Sequence, residues 1–248
     1  MRTSTPIGIG VGLGIGAAAA LGFTVGGFFY ASRWPASQIF GRTLIAPRLP
    51  GELALTFDDG PNPACTPRLL DVLARHGVKA TFFLIGDFAQ QEPALARSIA
   101  EAGHTIGNHS WSHPNLSLVS SRRIREELAR TKYTLEQITG SPVRLFRPPF
   151  GARRPYVLQT ARELGMTPVM WNAMTSDWSE LSPDLIAAKL MNKIGINHRA
   201  GFASNIVLHD GGHQALNTDR GPSIGAAERL LACYAPRQKF VTLDVWPD

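Results

Sequence analysis

Apolar and polar positions alternate with a period of two along Leu53-Ala54-Leu55-Thr56-Phe57, and the run then meets Asp58, Asp59, Gly60 and Pro61. That pattern predicts a short buried strand stopped at once by a turn. Ala80 to Gly86 is almost continuously apolar, as in a parallel strand covered on both faces. Short strands are also predicted over His104 to Gly107, Val143 to Phe146, Met166 to Trp171, Asn205 to Leu208 and Phe240 to Val245. Helical spacing fills the gaps between them. One helix starts near Thr66, with Thr66 as N-cap and Pro67 in the first turn. Others cover Glu92 to Ala102, Ser120 to Thr139, Arg153 to Leu164, Ser182 to Ile194 and Pro222 to Tyr234. About seven strands alternating with helices predict an α/β fold with right-handed crossovers, a barrel close to (β/α)8 but short of it.

Upstream, Ile7 to Tyr30 carries no charge and is rich in Gly, Ala and Phe. Its roughly 24 residues exceed the ~20 that cross a bilayer as a helix, and no A-x-A cleavage site follows. Gly8, Gly12 and Gly16 have the spacing of packed membrane helices. Residues 1–31 are therefore expected to be a transmembrane anchor or signal segment. Residues 32–50 are expected to be a Pro-punctuated linker and residues 51–248 the working domain. Membrane contact is expected through residues 7–30. The positive-inside count leans toward a cytoplasmic domain, because Arg33, Arg42 and Arg48 follow the span, but Arg2 precedes it and orientation stays open.

Composition narrows the partners. The chain is 44% hydrophobic and 18% charged, a globular balance. Four of its six net positive charges are Arg2, Arg33, Arg42 and Arg48, which leaves +2 for residues 51–248. A nearly neutral domain without a Lys/Arg run argues against nucleic acid as partner. Cys65 and Cys233 are the only cysteines, lie far apart and form no C-x-x-C. They read as buried thiols in preference to a disulfide.

Candidate chemistry gathers at strand ends. Asp58 and Asp59 fall at the C-terminal end of the first strand, where parallel α/β folds place their sites. Neighbouring strand residues face opposite ways, so the two carboxylates take different roles unless the turn brings them together. His109 and His113 follow the third strand at i and i+4, which can aim two imidazoles at one point if the segment is helical or tightly turned. With Asp59 they compose a candidate site for one divalent ion. Two imidazoles and one carboxylate suit Zn²⁺ best, with Co²⁺ or Ni²⁺ admissible. Arg147 precedes Pro148 and Pro149 and can hold Asp58 by charge-assisted bonds. Backbone N–H groups just after those prolines can meet a developing oxyanion. Asp177 is a candidate supporting carboxylate, and Trp178 is either a flat wall for a sugar ring or plain packing. His209, before a Gly turn, is a general-acid candidate. His213, four residues on, makes a rival pair with it and ranks lower for want of a carboxylate partner at a strand end.

In order, Thr56-Phe57-Asp58-Asp59-Gly60-Pro61, His109-Ser110-x-x-His113, Arg147-Pro148-Pro149-Phe150-Gly151, Ser176-Asp177-Trp178 and Leu208-His209-Asp210 resemble the motifs of the NodB-type polysaccharide deacetylases, carbohydrate esterase family 4. The match runs over about residues 52–245. The resemblance implies a distorted (β/α)7 barrel, here with an N-terminal membrane-spanning segment. It implies removal of N-acetyl groups from an amino-sugar polymer or oligomer, peptidoglycan or chitin-like. It implies Asp58 as base, Asp59, His109 and His113 as metal ligands, His209 as acid and Arg147 orienting the base. Phe150 stands where Tyr is common, its backbone N–H serving the oxyanion. Val207 replaces a usual Leu in the pocket for the acetyl methyl. Met174 replaces a usual Asp three residues before Asp177, which leaves the tuning of His209 open. Two alternatives stay open, a deformylase or deacetylase of a lipid-linked amino sugar and a membrane-tethered carbohydrate-binding homologue without catalysis. The expected location is membrane-anchored, with the catalytic domain in the periplasm or at the cell surface.

Overall fold

The computed structural model describes residues 26–179 and 182–247. The sheet is built around β1 (Glu52–Gly60), which is buried from Leu53 to its end. The other strands are β2 (Thr81–Leu84), β3 (Thr105–Asn108), β4 (Leu145–Phe146), β5 (Thr167–Pro168), β6 (Ala173–Met174), β7 (Ser204–His209) and β8 (Lys239–Phe240). Seven of them run in the order β5-β4-β3-β2-β1-β7-β6, and β8 pairs with the start of β1. Every pairing is parallel. The helices are α1 (residues 26–33), α2 (Thr66–Arg75), α3 (Gly86–Gln91), α4 (Pro93–Glu101), α5 (Ser121–Thr139), α6 (Pro155–Glu163), α7 (Pro183–Arg199) and α8 (Gly221–Tyr234).

The expected seven-stranded barrel needs correction. The fold is a distorted half-barrel of eight strands among the described residues. Of the run Met166 to Trp171, expected as one strand, only Thr167–Pro168 forms β5, which closes one margin of the sheet; β6 closes the other, with only residues 169–172 between them. Five residue steps reach at most about 18 Å. The outer strands of a flat seven-stranded sheet would lie about 29 Å apart, six gaps of about 4.8 Å. The sheet must therefore curl until its margins approach, yet β5 and β6 do not pair. Side chains and a single bridge stitch this seam: Leu44 pairs with Val169, and Asn205 Nδ2 donates to the Met170 carbonyl at 2.7 Å and the Ile45 carbonyl at 3.1 Å.

The membrane anchor is also corrected. Among the described residues no helix is long and apolar enough to cross a membrane. Of the expected span over residues 7–30, residues 7–25 lie outside the described residues, and the rest belongs to the short α1. That withdraws the membrane as partner and the membrane-anchored location inferred from it. Neither cysteine is in a disulfide, and Cys65 is buried.

The curled sheet separates two apolar layers. Leu53, Leu55 and Phe57 point outward and pack with Leu69, Leu73, Ile124, Leu128, Ile186 and Leu230 from the helices. Ala54 points inward, into a smaller cluster with Phe83, Leu145, Val169, Leu243 and Trp246. The inner layer turns polar toward the C-terminal ends of the strands, where Thr56, Arg147 and Asn205 are fully buried. The helix starts follow local chemistry at Ser120 and Ser182, whose hydroxyls accept from the N–H groups of Arg123 and Leu185. Thr66 departs from its expected capping role. Its N-cap is Cys65, and the Thr66 hydroxyl donates to the buried carboxylate of Asp210.

Gly107 pairs in register with Phe83, and a Cβ there would lie 2.5 Å from the Phe83 ring. Gly107→Ala should therefore lower the unfolding free energy by about 1–3 kcal/mol through overpacking. A urea unfolding midpoint unchanged from wild type would contradict this.

Candidate active site

The two aspartates at the end of β1 both enter one cavity, against the usual alternation of strand side chains. Asp58 continues the inward row of Ala54 and Thr56. Asp59 has φ 71, and the β1–β2 register shifts between Asp58 and Gly60. This left-handed residue, tolerated by Asp better than by most side chains, turns the second carboxylate back to the side of the first. Both are nearly fully buried.

Arg147, at the end of β4, is wholly buried below them. Its Nη1 donates to Asp58 Oδ1 and to Thr56 Oγ1, both at 2.7 Å, and its Nη2 donates to Asn205 Oδ1 at 3.1 Å. Its guanidinium lies 4.1 Å from the centroid of the Phe83 ring. These contacts fix Asp58 in one orientation.

The loop after β3 brings the two imidazoles to Asp59. His109 Nε2 lies 3.4 Å and His113 Nε2 3.1 Å from Asp59 Oδ1. One ligand atom from each of the three residues lies within 4.8 Å of the others. His109 Nδ1 sits 2.7 Å from the Arg147 carbonyl, which only accepts, so Nδ1 carries the proton and Nε2 presents its lone pair. Burial pushes His113 below its ordinary titration range despite Asp59, leaving it neutral at pH 7. Burial would raise Asp59, but the close imidazoles of His109 and His113 and the charge of His209 beyond hold it well below the carboxylate range. Asp59 Oδ1 is buried without a hydrogen-bond partner. A carboxylate and two imidazoles converging on one point, with a buried carboxylate oxygen left unpartnered, fit a divalent metal.

Glu127 makes this loop hold its shape. It lies buried on α5 and accepts from the N–H groups of Trp111 and Ser112 at 2.7 and 2.8 Å and from Ser112 Oγ at 2.7 Å. Ser110 and His113 adopt φ 65 and 55, a path that extended or helical backbone would not follow. Sequence reasoning passed over Glu127; its signal was a carboxylate on the inward, apolar face of an amphipathic helix.

Across the cavity, His209 at the end of β7 is the parallel-register partner of Asp58. Asp177 Oδ1 lies 2.8 Å from His209 Nδ1, and Asp177 Oδ2 accepts the His209 N–H at 2.8 Å and the Ser223 hydroxyl at 2.7 Å. Burial would depress His209, but the charge and hydrogen bond of Asp177, with Asp59 and Asp58 beyond, raise it to about 9. Asp177 therefore supplies the carboxylate that His209 needs, while Met174 lines the cavity without reaching that role. Asp210, next in the chain, is fully buried under Gly60, and burial first, then Asp59 and Asp58, raise its carboxyl to about 7.

A cavity of about 470 Å³ opens over these groups. Val207, in register between Thr56 and Met174, forms part of its floor. Phe150 has φ 57 and is 45% exposed on the rim, edge-on to His113 at 4.5 Å. Trp178 is 48% exposed and stands edge-on to His209 at 5.2 Å, a wall and not core packing. His213, ranked low from sequence, stacks on His113 at 4.6 Å with its Nδ1 3.9 Å from Asp59 Oδ2.

A site of this kind, a buried Asp–His–His cluster beside an arginine-held aspartate and an aspartate-held histidine, defines a metal-dependent hydrolase at the mouth of a parallel half-barrel. Residues 47–169 match the family model described as polysaccharide deacetylase. The chain is 38% identical over 193 residues to the peptidoglycan-N-acetylglucosamine deacetylase of Bacillus cereus, covering 77% of this chain and 66% of that protein. It is 39% identical over 158 residues to the chitooligosaccharide deacetylase of Azorhizobium caulinodans, covering 63% of this chain and 72% of that one. The solved structure of the Bc1960 peptidoglycan N-acetylglucosamine deacetylase, in complex with an N-hydroxybenzamide compound, superposes with a TM-score of 0.72 at 34% identity, over 81% of this chain and 90% of that one. The chain belongs to the polysaccharide deacetylase family.

Removing the Asp177 charge should lower the His209 titration. In Asp177→Asn the imidazole should move from about 9 toward its ordinary 6.5, read by NMR of the ring protons. A titration that stays near 9 would show that Asp177 is not the cause.

Proposed function

We propose that this protein is a metal-dependent hydrolase that removes N-acetyl groups from the amino-sugar residues of a glycan polymer, peptidoglycan or chitin-like. The observation that carries the reading is the placement of Asp58 and His209 in register on adjacent strands, across a cavity from the Asp59–His109–His113 cluster. Adjacent strands lie about 4.8 Å apart, so a base and an acid can serve the two sides of one small amide group. The donor set favours Zn²⁺ among divalent ions. When bound, that ion supplies Lewis acidity to the amide carbonyl and to the attacking water.

The chain's own residues supply the rest. Asp58, aimed by Arg147, takes the proton of the attacking water at its Oδ2 side, because Oδ1 is held at 2.7 Å by the guanidinium. The N–H of Phe150 donates to the oxyanion. His209, protonated up to about pH 9, hands a proton to the departing nitrogen, and without it the tetrahedral species would expel water again. Val207 and Met174 receive the acetyl methyl, and Trp178 offers a flat face to a sugar ring. The lipid-linked alternative loses its motive with the membrane anchor.

Three results are expected. The wild-type protein should release acetate from N-acetylglucosamine oligomers and contain close to one metal ion per chain; formate in place of acetate, or no product, would overturn the substrate reading. Asp58→Asn should lower kcat about 10²–10⁴-fold while the metal:protein ratio stays unchanged. His113→Ala should reduce metal content at equal free metal, and an unchanged ratio would remove His113 as a ligand.

A further inference from the structure

The segment before β1 contributes directly to the cavity wall: Arg33, at the end of α1, lines it together with Arg220 from the loop after β7. The backbone on both sides of Arg33 is clamped. Arg153 is fully buried, and its Nη1 donates to the carbonyls of Ser32 at 3.4 Å and Gly151 at 3.1 Å. Its Nη2 donates to the carbonyls of Trp34 at 2.7 Å and Ser37 at 2.8 Å, and its own N–H donates to Ser32 at 3.0 Å. A buried guanidinium is stable only with such partners, so the clamp is rigid. Because Gly151 adjoins Phe150, the same clamp ties Arg33 to the rim that carries Phe150.

The charge balance around the cavity is uneven. Asp58 is neutralised by Arg147, and Asp59 faces the two histidines and the ion they fit. Asp177 is paired with His209. Arg33 makes no ion pair among the described residues, and Arg220 is steadied by bonds from its Nε to the Gly211 carbonyl at 2.7 Å and from its N–H to Cys65 Sγ at 3.1 Å. The lining of the cavity thus carries two guanidiniums and no unpaired carboxylate to answer them, since Asp219, beside Arg220, lies outside the lining and accepts from the Gly221 N–H. Such a wall draws anions and binds carboxylates with directed hydrogen bonds.

We infer that Arg33 is a specificity-determining residue that selects amino-sugar polymers bearing carboxylates over neutral ones. This rests on the deacetylase reading and narrows it to an acidic glycan. The test compares a soluble N-acetylglucosamine–N-acetylmuramic acid oligosaccharide with the same oligosaccharide after its carboxylates are reduced to alcohols. Acetate release gives kcat/KM for each, and calorimetry on the metal-loaded Asp58→Asn variant gives Kd for each without turnover. Wild type should prefer the acidic form about tenfold, chiefly through KM, and the preference should shrink as salt rises. Arg33→Gln should lower that ratio about five- to tenfold, Arg33→Glu should lower it further, and Arg33→Lys should keep most of it. No preference in wild type, or a preference in Arg33→Gln and Arg33→Glu equal to that of wild type, would overturn the inference. A binding preference that depends on Arg33, found without acetate release, would support Arg33 and count against the deacetylase reading alone.

Discussion

Two adjacent carboxylates at the end of one strand cannot face one cavity while the strand stays regular, and the site depends on breaking that rule. Asp59 breaks it with a left-handed backbone, a conformation that carries a penalty of about 1–2 kcal/mol for an ordinary side chain. The penalty is held in place by close neighbours. A Cβ on Gly211 would lie 2.1 Å from the Asp59 carbonyl oxygen, and one on Gly60 would lie 2.6 Å from the Asp210 carboxylate. Among the described residues, the other non-glycine positions with positive φ are Ser110, His113, Phe150 and Asn217. The first three belong to the loops that build the cavity, so strain is concentrated where the chemistry is proposed.

Below the carboxylates the interior of the half-barrel is polar where a closed barrel would carry packed aliphatic side chains. Thr56, Arg147 and Asn205 form a bonded column that reaches from the Ile206 carbonyl to Asp58. The same Asn205 ties the unpaired seam through the Met170 and Ile45 carbonyls. Sheet closure and the aim of the proposed base therefore share one side chain. The proposed acid is held from the far side of β7, by Asp177, so the proposed base and acid have different partners and no direct bond between them.

Much of this was legible in the residue pattern, and the failures have physical causes. Strands β1 and β2 announce themselves because a buried strand leaves an alternating or continuous apolar run of the right length. The break between β5 and β6 leaves only one mark, Pro168 at the end of β5, since Val169 to Trp171 is apolar whether the chain stays at one margin or crosses to the other. Apolar composition over residues 7–30 likewise reads as a span, and the described residues hold no helix to match it. Motif order pointed to Asp58, Asp59, His109, His113, Arg147, Asp177 and His209, and the structure brings all seven around one cavity or directly beneath it. What spacing could not reveal are partners chosen across the fold: Glu127 for the histidine loop, Asn205 for Arg147, and Asp210, which draws the Thr66 hydroxyl away from the helix start.

The pairing of β1 with β7 joins positions 150 residues apart, as in the bond from Thr56 Oγ1 to the Ile206 carbonyl. During vectorial synthesis the strand carrying the aspartates leaves the ribosome long before the strand carrying His209. A nascent chain can gather the metal-ligand cluster from β1 and the loop after β3 while the opposite wall is still untranslated. Hydrolytic competence would then arrive as a single late event, when β7 docks against an edge of β1 that has waited unpaired.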